Sequence, residues 1–381
     1  MSTTASSTLY APGARAASGV WLHWFAIVVA ACTFCLLLAG SVVTSTGSGL
    51  AVPDWPTTYG ENMFTFPPSK WVGGIWYEHV HRLIGSAVGF LTIVLCAWLW
   101  LSGLSRRVKW LGTVALVAVC VQGLLGGLTV WYMLPTWISV AHAGLAEIFF
   151  CITVSLVVVT APRWTKKSVP FMGEIAQAEA CGSLSTSAGT SLRRLCVVTL
   201  GCVYLQIILG AVMRHTQSGQ AILDFPLSYG ALLPPTSDAA LQSINLDRVW
   251  EHDLEAVTLG QVWIHFAHRA GALVVVISVV LLVRYVLAVL GRRRDAVFLA
   301  MGLAGLLVLQ IMLGAVTIWT RSELLITTAH VGTGALMLAT CVVLLLQVYS
   351  GSPESRESAG GVDSSSASAI EGRSLIAREI C

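Results

Sequence analysis

Gln122-Gly123-Leu124-Leu125-Gly126-Gly127-Leu128-Thr129-Val130-Trp131 is echoed by Gln310-Ile311-Met312-Leu313-Gly314-Ala315-Val316-Thr317-Ile318-Trp319. An Ala-His-x-Gly follows each copy, Ala141-His142-Ala143-Gly144 and Ala329-His330-Val331-Gly332. A His-Arg pair precedes each, His81-Arg82 and His268-Arg269. The echo runs into the connecting segments. Ser45-Thr46-Gly47-Ser48-Gly49 matches His215-Thr216-Gln217-Ser218-Gly219, and Asp54-Trp55-Pro56 matches Asp224-Phe225-Pro226. The chain reads as a tandem duplication with two histidines in very apolar sequence per copy. Buried imidazoles in hydrocarbon mark functional sites, and a repeated pair points to one metal-type site per half.

The surroundings of the repeat are those of a membrane protein. Of 381 residues 56% are apolar and 11% charged, with a mean hydropathy of +0.78. Soluble proteins carry about 25% charged residues, so the lipid bilayer is the expected partner. A net charge of +3, scattered along the chain, gives nucleic acid no basic patch to bind. Eight apolar segments reach the roughly 20 residues a span needs. They are predicted near 22–43, 79–101, 109–131, 138–160, 194–214, 262–289, 296–319 and 325–348.

The expected fold is an all-α integral membrane protein, its eight transmembrane helices arranged as two tandem parallel-repeat four-helix bundles. Four helices return the chain to its starting side, so the copies are parallel, unlike the inverted repeats of many transporters. The expected organisation is a cytoplasmic N-terminal segment 1–21, one half over 22–160, a cytoplasmic linker 161–193, a second half over 194–348 and a disordered cytoplasmic tail 349–381. Arg106, Arg107 and Lys109, the group from Arg163 to Arg194, and Arg292 to Arg294 all fall on one side. The positive-inside rule makes that side cytoplasmic. Loops 44–78 and 215–261 then face outward, where His215 and His252 are expected to be solvated or bonded within the loop. Residues 1–20 carry neither a cleavable signal nor an Arg-rich leader, which favours a bacterial plasma membrane. None of the ten cysteines falls in an outward loop, where disulfides would form. Cys32-x-x-Cys35 lies mid-helix and reads as packing.

His81 and His268 fall near the outer ends of the second and sixth spans, His142 and His330 about a turn inside the fourth and eighth. Alternate helices of a four-helix unit face each other across its core. Two facing imidazoles can bind a heme iron from both sides. Gly85, Gly89, Gly126, Gly144, Gly271, Gly314, Gly332 and Gly334 leave room for a flat ligand, or simply let helices pack closely.

The halves part at Glu78-His79-Val80-His81-Arg82, which aligns with His265-Phe266-Ala267-His268-Arg269. Glu78 and His81, three apart, share a helix face. A carboxylate beside a porphyrin can take up a proton or stabilise positive charge; a Glu at a helix start also suits the macrodipole. His79 falls on roughly the opposite face and is expected to be peripheral. Arg82, Arg214 and Arg269 lie at the outer boundary, where they either pair with heme propionates or snorkel to the interface.

Over about residues 20–348 the sequence resembles the heme A synthase family. Its carriers are Thr46-Gly47-Ser48-Gly49-Leu50-Ala51 with Pro53-Asp54-Trp55-Pro56, Glu78-x-x-His81-Arg82, the Gln-x-x-x-Gly and Ala-His-x-Gly pairs, and Arg214-His215-Thr216. The resemblance implies an oxidoreductase acting on a CH3 group, turning the C8 methyl of heme O into a formyl group to give heme A for terminal oxidases. It implies that His81 and His142 are axial ligands of the substrate heme, that His268 and His330 hold heme b as redox cofactor, and that Glu78 is catalytic. A heme O synthase is the implied donor, terminal oxidase assembly the acceptor, and the electron acceptor is unknown. Many members have a cysteine pair in the first outer loop. Val52 and Thr58 stand there in this sequence, with Ile222 and Ser228 at the matching places, so thiol chemistry is not expected. Two rivals remain: a diheme b-type electron-transfer protein acting as quinol or ferric reductase, and a transporter. The transporter lacks a polar path, because the intramembrane polar groups gather at the outer ends.

Overall fold

The computed structural model describes residues 12–162, 187–291 and 293–349. Nine α-helices account for most of them. They are α1 (Pro12–Ser45), α2 (Gly74–Leu101), α3 (Arg106–Trp131), α4 (Thr136–Thr160), α5 (Ser187–His215), α6 (Asp238–Trp250), α7 (Leu259–Leu290), α8 (Arg294–Trp319) and α9 (Leu324–Tyr349). All except α6 are long and apolar enough to cross a membrane. In lipid a helix satisfies its own backbone, which is why these runs fold this way. Among the described residues the only extended pairing is two isolated bridges, Thr58 with Glu61 and Ser228 with Ala231.

The helix starts are chemically marked. Pro135 precedes α4, and α7 opens on a capping box in which Thr258 and Gln261 bond reciprocally. Ser237 caps α6 through Ala240 N.

Helix α1 packs on α2 and α4, and α3 closes the ring by touching the same two. Helices α5, α7, α8 and α9 form a second ring of the same order. The arrangement is compatible with the repeat read from the sequence. The rings meet where α1 touches α9 and α4 touches both α5 and α9. Helix α9 is therefore central: 61% of its apolar window is buried, against 17% for α1 and α5. Leu282, Leu303, Met337 and Leu344 fill the second ring; Ala26, Val88, Leu99 and Leu156 fill the first. Large apolar side chains such as Phe90, Leu205, Leu273 and Phe298 point outward, as suits a lipid-facing surface.

Three features differ from expectation. Helix α5 starts at Ser187, so Arg193, expected in the linker, lies inside it. The connection between α5 and α7 holds a 13-residue helix, α6, too short to cross a membrane. His215 is not a loop residue; it ends α5, half-buried. The remainder of the expected linker, the tail, Cys181 and Cys381 lie outside the described residues.

Candidate functional site

The four matched histidines occupy equivalent places. His81 lies on α2 and His142 on α4, opposite each other in the first ring; His268 on α7 and His330 on α9 repeat this in the second. Each lies roughly 9–14 Å along its helix from the end bearing the long loops, at 1.5 Å per residue. The members of each pair are near enough to interact electrostatically.

Each imidazole rests on a glycine of a neighbouring helix. A methyl group on Gly40 would come within 3.2 Å of His81 Cε1, and one on Gly126 within 3.1 Å of His142 Cε1. In the second ring the distances are 3.0 Å from Gly210 to His268 and 3.1 Å from Gly314 to His330. Glycine therefore lets each ring lie against a helix backbone. The Nδ1 atoms of His81, His142 and His330 are buried with no hydrogen-bond partner among the described residues. Glutamine amides reach three of the four histidines. Gln122 Nε2 donates to His142 O at 2.9 Å, and Gln206 Nε2 to His268 O at 2.7 Å. Gln310 Nε2 lies 3.4 Å from His330 Nε2. Among the described residues no cluster of three or more His, Cys, Asp or Glu side chains is arranged for a bare metal ion. Paired histidines on glycine cradles, with polar ring atoms buried, are a donor set that fits a flat macrocycle whose metal takes one ligand from each side.

The loops close over this end of the rings. Trp55 lies on Gly127, where a methyl group would come within 2.6 Å of its indole. Its ring meets Trp131 edge-on at 5.5 Å, and Trp131 Nε1 donates to Trp55 O at 3.2 Å. Phe225 meets Trp319 in the same manner at 6.4 Å.

Glu78 and Arg82 fasten the first loop. Val52 N donates to Glu78 Oε2 at 2.8 Å, and Arg82 pairs with Glu78 Oε1 at 2.5 Å. Arg82 also donates to Asp54 O at 2.6 Å, Val52 O at 2.8 Å and Thr57 O at 3.1 Å. In the second ring His265 stands where Glu78 does: Ile222 N donates to its Nδ1 at 3.2 Å. Arg269 donates to His265 Nε2 at 3.2 Å, Leu227 O at 2.8 Å and Ile222 O at 3.0 Å. The two clamps share one geometry and differ in charge. Val52, Thr58, Ile222 and Ser228, the places of the cysteine pattern, are all buried beneath them.

Asp54 organises the same loop. Burial raises its carboxyl, but bonds from Gly60 N, the Thr57 hydroxyl and Tyr59 N outweigh that and hold it below the ordinary aspartate range. Of the three boundary arginines, Arg82 and Arg269 are thus engaged with loop carbonyls. The side chain of Arg214, in the last turn of α5, has no hydrogen bond or ion pair among the described residues.

The family model for the cytochrome oxidase assembly protein COX15-CtaA matches residues 23–342. The chain belongs to that family. It is similar to the heme A synthase of Geobacillus kaustophilus, 26% identical over 316 residues, 81% of this chain and 86% of that one. The heme A synthase of Beijerinckia indica is 27% identical over 343 residues, 80% and 85% of the two chains. That of Erythrobacter litoralis is 27% identical over 271 residues, 69% and 70%. The resemblance drawn from the motifs therefore holds across all eight spans of this COX15-CtaA member.

Several site residues escape a motif search. Gly40 and Gly210 cradle His81 and His268; Gln206-x-x-x-Gly210 has the spacing of the other Gln-x-x-x-Gly pairs and would have revealed the second of them. His79 is not peripheral: it is wholly buried under the first loop, bonded to Thr58 Oγ1 at 3.2 Å and flanked by Phe66 and Trp71. His215, on the second ring, comes near enough to His142 to act on it electrostatically. Glu147 is a further buried carboxyl, 4% exposed, whose Oε2 has no partner among the described residues. Gly144, Glu147 and Cys151 form one stripe of α4 facing α5, where Tyr204 donates to Gly144 O at 3.3 Å.

Proposed function

We propose that this protein is a heme A synthase, an oxidoreductase that converts the C8 methyl of heme O into the formyl group of heme A. The observation that carries the proposal is the pairing of His81 with His142 and of His268 with His330, each ring on a glycine cradle. Membership of the COX15-CtaA family and similarity to heme A synthases support it. The two halves, 22–160 and 194–348, then divide the work. His81 and His142 hold the substrate heme. His268 and His330 hold heme b, which supplies one-electron redox chemistry when bound.

The chain's own residues do the following. The histidine pairs, which lie at similar depths along their helices, would hold the two macrocycles. The closed loops, with Trp55 and Phe225 seated on the rings, keep water from the reacting edge. Two oxidations at one methyl carbon, each taking up the oxygen of one water and releasing two protons and two electrons to an external acceptor, give a hydroxymethyl group and then a gem-diol, which loses water to the aldehyde. Glu78, three residues from His81, is the carboxylate nearest in sequence to that ligand, and only this half has one. Held by Arg82, it is placed to stabilise positive charge or accept a proton as the methyl is oxidised. Arg214, unengaged at the boundary, suits a propionate; Arg82 and Arg269 are spent on loop carbonyls. The long loops face outward from a bacterial plasma membrane with both termini cytoplasmic, as the basic residues at the opposite ends require. Heme O synthase is the fitting donor and terminal oxidase assembly the fitting acceptor.

The test is expression with heme O available, followed by extraction of the hemes. Heme A, with hydroxylated heme as intermediate, is expected, and Glu78→Ala should reduce it. Bound hemes with heme O recovered unchanged would instead indicate a diheme electron carrier. His268→Ala should lose heme b and His81→Ala keep it; the reverse would overturn the division between halves.

A further inference from the structure

The second long loop exceeds the first, and the surplus is a helix. His81 lies 21 residues after Gly60, whereas His268 lies 38 residues after the matching Gly230. The extra length is α6 and the turn that follows it. Leu241, Ile244 and Arg248 face inward. The two apolar side chains join Ala221, Ile222 and Val262 in a small core, and Arg248 donates to Gln220 O, Ala221 O and Glu255 O. Gln220 Nε2 in turn donates to Thr317 O at 3.3 Å and Ser322 Oγ at 2.9 Å, where α8 connects to α9. Helix α6 is thus fastened across the end of the second ring that holds His268 and His330. On its other side Leu246, Val249 and Trp250 are exposed, Trp250 by 78%. They line an open groove with Ala239, Gln242 and Ala256. Around them stand five exposed acidic residues, Asp238, Asp247, Glu251, Asp253 and Glu255. His252 lies beside Asp247 at 3.6 Å. The one Lys or Arg of this stretch, Arg248, is the residue turned inward.

We infer that the outward face of α6 is a docking surface for a basic, water-soluble protein that carries single electrons. Charge decides the class of occupant. Helices that lie on a membrane surface are rich in Lys and Arg on their polar face. Helix α6 presents acids instead, which an anionic lipid surface repels. An exposed Trp and its apolar neighbours inside an acidic rim match a partner that is apolar at the centre and basic around it. Place decides the partner's task, and this part rests on the proposed function. That reaction releases electrons in two pairs for each heme O, and the second half is where they leave. The second loop bears this surface, next to His268 and His330; the first loop has no counterpart to α6 among the described residues. Each electron reduces one oxidised partner molecule, so four partners leave reduced for each methyl converted to formyl.

The experiment uses the purified full chain with its hemes, in vesicles of phosphatidylcholine and phosphatidylglycerol, carrying Gln242→Cys in the groove. A membrane-impermeant maleimide, located by peptide mass spectrometry, reads whether position 242 is covered. In vesicles alone it should react freely. An oxidised basic c-type cytochrome, used as the probe, should slow the labelling about tenfold at low salt and lose that effect as salt screens the rim. An acidic flavodoxin should not slow it. After reduction of the hemes, the cytochrome should be reduced in turn. Asp247→Lys/Glu251→Lys should lower both protection and the rate of cytochrome reduction about tenfold with heme content unchanged. If that variant fails to fold, Trp250→Ser, which removes the apolar anchor, serves in its place. Glu61→Gln in the first loop should change neither readout. Position 242 already covered in vesicles alone would give the face to lipid and overturn the inference. Protection without electron transfer, or electron transfer unmoved by the variants, overturns it equally. These outcomes leave the conversion of heme O, and so the proposed function, standing. A chain that passes electrons to the cytochrome but makes no heme A fails the proposed function alone.

Discussion

Arg82→Ala should be among the most destabilising substitutions on the loop-bearing end, and its cost should depend on Glu78. The guanidinium donates to three loop carbonyls, at 2.6, 2.8 and 3.1 Å, and pairs with Glu78 at 2.5 Å. The two side chains are only 10% and 4% exposed. Stripping one partner from a buried ion pair costs about 3–5 kcal/mol, because the other charge is left uncompensated. Arg269→Ala removes two carbonyl bonds and one bond to His265. What it leaves behind is an imidazole, which can be buried uncharged. At about 1 kcal/mol per ordinary hydrogen bond, that loss is about 2–3 kcal/mol. Arg82→Ala should therefore exceed Arg269→Ala by about 1.5 kcal/mol, equivalent to roughly tenfold in a local opening equilibrium. Glu78→Gln keeps an oxygen for Val52 N and removes the charge, so the double variant Glu78→Gln/Arg82→Ala should recover most of the difference. Amide exchange at Val52, Tyr59 and Gly60, compared with Ile222, Tyr229 and Gly230, reads each loop separately. Equal costs for the two arginines, or no recovery in the double variant, would refute the claim that the clamps differ by a charge.

Other consequences follow from single contacts. The Asp54 carboxyl is held below its ordinary value of 3.8, so its bonds stabilise the first loop fully above that pH and are lost as pH falls through the lowered value; first-loop amide exchange should accelerate only in that acid window, and Asp54→Asn should remove the step. Gly314→Ala puts a methyl group 3.1 Å from His330 Cε1, tight enough to push the ring by a few tenths of an ångström at about 1–2 kcal/mol. It should lower heme retained per protein after purification, whereas Gly302→Ala, with nothing within 4 Å of the added methyl, should not; equal retention would count against the cradle. Glu147→Leu should leave the unfolding midpoint unchanged or raise it by the equivalent of about 1 kcal/mol, because an unpartnered buried carboxyl is a cost rather than a contact. A drop of that size would mean that the carboxyl is bonded after all.

How much of this was legible in the sequence depended on whether a signal repeats. Spans and histidine pairs were readable because hydropathy and the Gln122/Gln310 echo each state the same thing twice. Helix α6 was not, because it is amphipathic and only 13 residues long. Its ordering comes from tertiary contacts: Leu241 in a small loop core, and Arg248 bonded to Gln220 O, Ala221 O and Glu255 O. His79 was misplaced because helical periodicity assigns a face but not what covers it, and here the first loop folds back over the face away from the core. The destination of Arg82 and Arg269 was equally closed to the sequence. An arginine at a membrane boundary reads the same whether it meets a propionate or a carbonyl, and only the path of the loop decides.

The frame common to both rings makes their mismatches informative. The clamp at positions 78 and 265 has one shape in both, so replacing His by Glu there changes charge without moving backbone. The cradle at positions 40 and 210 is likewise shared, while Leu36 stands where the second ring has Gln206, whose amide donates to His268 O. Arg214 and His215 stand where the first ring has Thr44 and Ser45, adding basic groups at the boundary of the second. At these positions the first ring has a carboxylate, and the second has an imidazole in its place with added basic groups at its boundary. On the proposed function, the ring that must carry developing charge is the one with the carboxylate, which is where a departure from the shared frame is expected.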